Sequence, residues 1–104
     1  MNMQPAMLAC YEEIERASRR MAAAARQGDW SAFAEAEAEC AHQIRRIKMI
    51  GDPETTLDPA GRARRLELVG RMLSADARVR ESTQPGIARL DRYLRASRTA
   101  KASF

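Results

Sequence analysis

Aromatic side chains are scarce in this chain: one tryptophan, two tyrosines and two phenylalanines among 104 residues. So few rings leave little to stack on single-stranded bases, and in the C-terminal half only Tyr93 and Phe104 are available for it. Histidine occurs once, at His42, and there is no CxxC, so a zinc site lacks its ligands. No run approaches the roughly 20 apolar residues that span a bilayer. The first residues also lack a basic stretch followed by an apolar core, which predicts a cytosolic protein without a secretory signal. A glycine-rich phosphate loop is missing, as is any convergent set of acid, base and nucleophile. The densest acidic cluster, Glu12, Glu13 and Glu15, is followed at helical spacing by Arg16, Arg19 and Arg20. Such surface pairs contribute about 0.2–0.5 kcal/mol each and do no chemistry. These absences predict a protein that is not an enzyme and uses no cofactor or metal.

Two cysteines are present, and both sit on helical apolar stripes. Cys10 precedes Gly28 by 18 residues and Cys40 follows it by 12. In an antiparallel hairpin that mismatch separates them by roughly 9 Å along the axis, too far for a disulfide. They are expected to be buried small hydrophobes.

Long helices with a seam are plainly there. Met7, Tyr11, Ile14, Ser18, Met21 and Ala25 recur at steps of three and four, as do Trp30, Phe33, Glu37, Cys40, Ile44 and Ile47. Between them, Gly28 can take a left-handed conformation that ends one helix, and Asp29 can cap the next. A corner this short makes the two helices antiparallel neighbours, with Trp30 expected to be buried where they meet. Gly51-Asp52-Pro53-Glu54 stops the second helix, and Asp58-Pro59 reads as the cap and first residue of a third. Along the third, Ala63, Leu66, Val69, Met72, Leu73, Asp76 and Val79 form the expected stripe. Pro85-Gly86 breaks the chain again, and Ile87, Leu90 and Leu94 are the apolar positions of a short last helix. The reading is an all-α fold in one domain, 1–104: an antiparallel helical hairpin or bundle of three long helices plus a short C-terminal helix. The helices are expected at about 5–27, 30–50, 59–83 and 86–97, with a frayed tail over 98–104.

Charge is unevenly placed. Residues 1–58 carry seven basic and ten acidic side chains, a net of −3; residues 59–104 carry eleven and four, a net of +7, which together give the chain's +4. Within the second helix, Glu35, Glu37 and Glu39 come first and Arg45, Arg46 and Lys48 last, an order that counters the helix dipole and marks a solvated face. The basic C-terminal half suits an acidic partner or nucleic acid. Arg89, Arg92 and Arg95 would decorate the second helix of a helix-turn-helix, but only Leu90 and Leu94 would anchor it, so nucleic acid is the weaker reading. Apolar bulk is thin, since alanine pads the 45% hydrophobic fraction. With Ala22–Ala25 allowing close helix approach, this predicts a homodimer through the first two helices.

Tyr11 in the first helix, the Gly28-Asp29-Trp30 corner, Phe33 three residues on, and a second helix rich in Glu and Arg resemble the FliT-type flagellar export chaperones. The resemblance covers nearly the whole chain. It implies a cytosolic helical protein that holds the filament-cap subunit (FliD-type) before type III export. It also implies contact with the export ATPase machinery and, in some lineages, inhibition of the master regulator FlhDC. By the same resemblance, self-association falls to the first two helices, at Tyr11, Ile14, Trp30 and Phe33. Cap-protein binding falls to the last two, at Leu66, Val69, Met72, Leu73, Ile87, Leu90 and Leu94, with the final helix a movable cover. The alternatives are a self-assembling structural or adaptor helical protein and, less favoured, a small basic DNA-binding protein.

Overall fold

Asp29 and Gly28 explain how the first two helices meet. The structure, a computed structural model, describes residues 2–80. Helix α1 spans Gln4–Gln27 and α2 spans Trp30–Ile50. Gly28 takes φ +68°, and its N–H donates to the Ala25 carbonyl at 3.2 Å while that of Asp29 donates to Ala24 at 2.9 Å. These bonds satisfy carbonyls that the end of a helix leaves open. The Asp29 carboxylate then accepts from the Ala32 N–H at 3.0 Å and opens α2. No spare residue lies between the helices, so α2 folds back antiparallel along α1. The register is fixed by Cys40, whose Sγ lies 4.0 Å from the Ile14 carbonyl and 3.9 Å from Met21 Sδ. Both cysteines are buried and free.

A third, single-turn helix, α3 at Pro53–Thr56, stands where the sequence shows only a break. Asp52 caps it by accepting from the Glu54 N–H at 2.9 Å, with Pro53 at its first position. Helix α4 follows at Pro59–Arg80. Asp58 caps α4 by accepting from the Gly61 N–H at 2.7 Å. Gln4 locks this start to the first turn of α1: its Nε2 donates to Asp58 at 3.1 Å, and its Oε1 accepts from the Asp58 N–H at 2.6 Å. The Gly61 N–H and then Gln4 hold the Asp58 carboxyl below its usual range. Gly61 leaves room for Gln4, because a Cβ there would crowd Gln4 Oε1 and force that side chain to shift. One helical step on, Arg65 donates through Nε to the Tyr11 hydroxyl at 2.8 Å.

These bonds make α4 run parallel to α1, so α1 is the central helix, with α2 and α4 on its flanks and little contact between those two. Every regular element among the described residues is helical, an all-α bundle. Its core is Met7, Cys10, Ile14, Met21, Cys40, Leu68 and Met72 with their neighbours.

The seam of α4 differs from the expected stripe. Leu68, Met72, Ala75 and Asp76 are buried, Val69 and Leu73 are half-buried, and Ala63 and Leu66 are exposed. The side chain of Val79 lies outside the described set. The reason is that Gly61, Arg65, Leu68, Met72 and Ala75 form the true four-and-three progression, and two of its members are not apolar. The anchors at Gln4 and Tyr11 turn that face inward and leave Leu66 outside. In α2, Ala36 and Gln43 join the buried face, and Glu37 is only half-buried.

Candidate partner-binding surfaces

The described residues hold no group of three or more His, Cys, Asp or Glu side chains placed to bind a metal ion. The thiols are held protonated. Burial pushes Cys40 up to about 12 and raises Cys10 as well, the latter against the field of Arg46. In the acidic cluster, Glu13 pairs with Arg16, which lowers its carboxyl, and Glu15 pairs with Arg19 at 3.1 Å.

Of the four residues expected to serve self-association, Tyr11, Ile14 and Phe33 are buried. Trp30 is not: it is 51% exposed, which corrects the expectation that it fills the corner. It is the first residue of α2, level with the last residue of α1, so no turn of α1 extends beyond it as cover. Its ring meets Phe33 edge-on, with centroids 5.7 Å apart.

The residues expected to bind the cap protein are likewise divided. Met72 is fully buried and cannot touch a partner while α4 stays packed on α1. Leu66 is 66% exposed, and Val69 and Leu73 are half-buried against the core. Ile87, Leu90 and Leu94 lie outside the described residues. Leu66, Val69 and Leu73 stand three, four and seven residues apart, so they line one continuous strip of α4.

Two shallow grooves flank α1. One, of about 420 Å³, has a floor of Ala23, Ala24, Ala32 and Ala36 under Arg20, Glu35 and Glu39. The other, of about 610 Å³, runs between α1 and α4 over Gly70, Ser74 and Ala75. Its rim carries the Glu15–Arg19 and Glu67–Arg71 pairs. Sequence periodicity missed these polar-rimmed grooves because their floors are small residues. It also missed Gln4 and Arg65, whose roles depend on contacts 54 residues away.

The model of the family described as flagellar protein FliT matches residues 8–104. The chain belongs to that family. No curated protein and no solved structure matches it. For this FliT-family protein, no helix among the described residues is long and apolar enough to cross a membrane. The matched span takes in the Trp30 corner and the whole α4 strip.

Proposed function

We propose that this FliT-family protein is a cytoplasmic export chaperone, with no catalytic activity, that holds the flagellar cap protein (FliD-type) before type III secretion. The family match supports the flagellar setting. The single observation that carries the surface assignment is Leu66, an exposed leucine continuous with half-buried Val69 and Leu73 on α4. In this reading α4 offers the apolar strip, and Met72 supports it from beneath. Ile87, Leu90 and Leu94 complete the site or cover it. The same reading gives the protein contacts with the export ATPase machinery, a negative effect on FlhDC, and a homodimer through α1 and α2. Trp30 is the exposed member of that self-association set.

Binding of a cap-protein C-terminal segment, measured by calorimetry, tests the proposal. Leu66→Asp should weaken binding strongly while thermal stability stays within about 0.5 kcal/mol, as for exposed positions generally. Unchanged binding would remove α4 from the site. A chain ending at Gln84 decides the role of the C-terminal segment. A cover favoured by about 1.4 kcal/mol leaves roughly a tenth of the molecules open, so its removal should raise apparent affinity about tenfold. Weaker binding instead makes that segment part of the site. Light scattering at high protein concentration, with and without Trp30→Ala, tests the dimer.

A further inference from the structure

The last two turns of α2 carry a surface apart from the α4 strip and from the Trp30 end of α2, the surfaces named in the chaperone reading. Arg45 and Arg46 each stand three or four residues from both His42 and Met49, so the four share one face, with Lys48 at its edge. All five are exposed, and Met49, at 88%, is the most exposed large hydrophobic residue described. Among the described residues, none of Arg45, Arg46 and Lys48 has an ion-pair partner. The described arginines of α4 differ. Arg62 donates to the Leu57 carbonyl, Arg64 and Arg71 pair with Glu67, and Arg65 holds Tyr11.

We propose that this face docks an acidic amphipathic protein segment, with Met49 taking an apolar side chain while Arg45, Arg46 and Lys48 receive the carboxylates around it. The helix dipole accounts for basic residues near the C-terminus of α2, but not for an exposed methionine on the same face. Methionine is flexible and polarizable and suits an adaptable contact, and arginine is enriched in interface hot spots. Charge complementarity selects an acidic partner. A nucleic acid fits less well, since phosphates offer Met49 nothing apolar. The carboxylates of Glu35, Glu37 and Glu39 on the same helix also confine the positive field to its end. The surface lies on α2, so it is independent of cap-protein binding on α4, and either can fail without the other.

The test uses the full-length protein and fluorescence anisotropy. The probes are a labelled peptide with glutamates flanking leucines on one helical face, its serine-for-leucine counterpart, a short DNA duplex and phosphatidylserine vesicles. The leucine peptide should bind best, and more weakly as salt rises. Arg45→Gln with Arg46→Gln should weaken it about tenfold, or about 1.4 kcal/mol. Met49→Ser should abolish the preference for leucine over serine. Arg26→Gln, an exposed cation elsewhere, should change nothing. The glutamine variants keep helix-forming residues, and circular dichroism confirms their folding. The proposal is overturned if the peptide does not bind, if Arg26→Gln costs as much as the double variant, or if Met49→Ser leaves the preference intact. Duplex or vesicle binding as tight as the peptide's overturns it too, and assigns the face to nucleic acid or lipid.

Discussion

Cys40 is a thiol whose chemistry is decided by where it sits. It touches the Ile14 carbonyl and Met21 in the α1–α2 seam and has no exposed surface. Its folded value, about 12, lies above the ordinary value of 9.0. The neutral thiol therefore contributes stability that is fully present below about pH 9 and is lost as pH climbs toward about 12. Cys40→Ala should flatten the fall in melting temperature over that window, and an unchanged fall would assign it to other groups. Ellman's reagent at neutral pH should react slowly with both cysteines in the native protein and quickly in denaturant. At the corner, two neighbouring rings are expected to behave differently. Phe33→Ala, at a buried position, should cost about 3–5 kcal/mol. Trp30→Ala, at a half-exposed one, should cost about 1 kcal/mol, roughly half the lower value for burying a large side chain. Equal losses in denaturant melts would mean that the indole is covered in solution.

Gly61 shows how a helix can be oriented by something other than its apolar residues. Replacing it with alanine should gain about 1 kcal/mol of helix propensity. The new Cβ, however, displaces Gln4 from Asp58 and forfeits two hydrogen bonds worth about 0.5–1.5 kcal/mol each. Gly61→Ala alone should thus be neutral or destabilising, whereas in a Gln4→Ala background it should stabilise. Additive effects in that double-mutant cycle would show that Gln4 and Gly61 do not meet. The same element marks where the sequence could be read and where it could not. Gly28, Asp29, Asp58 and Pro59 declare the helix ends through local chemistry, because caps need only their own neighbours. The inward face of α4 depends on Gln4 and Tyr11, far away in the chain, so local periodicity favoured Leu66 over Leu68. Trp30 misled for a related reason: its position in the stripe is right, but the partner helix ends level with it. The single turn α3 escaped notice because the Gly51-Asp52-Pro53-Glu54 break that stops α2 also holds, in Asp52 and Pro53, the cap and first residue of a new helix. Of the candidate sites, the α4 strip was partly legible, since Val69 and Leu73 lie in the stripe. The Met49 face was not, since it opposes the apolar side on which periodicity depends.

For the whole molecule, the decisive feature is that α1 lies between two helices that reach it by different routes. Helix α2 arrives through the Gly28-Asp29 corner, so the first contacts across that seam close short loops. Helix α4 arrives only after the chain has travelled the length of α2 and through α3, and its anchoring bonds join residues 54 apart. Loop closure costs more entropy as the loop lengthens, by about 0.6 kcal/mol for each doubling. The expected order of folding is therefore that the hairpin forms as the nucleus and α4 docks onto it after the rate-limiting barrier. In stopped-flow chevrons, Met21→Ala should slow refolding. Arg65→Ala should leave refolding nearly unchanged and speed unfolding. Slower refolding in Arg65→Ala would place α4 in the nucleus. With α4 outside the nucleus, its contacts govern how long the folded protein lasts rather than how fast it forms, so the helix we propose for partner binding is also the one whose release begins unfolding.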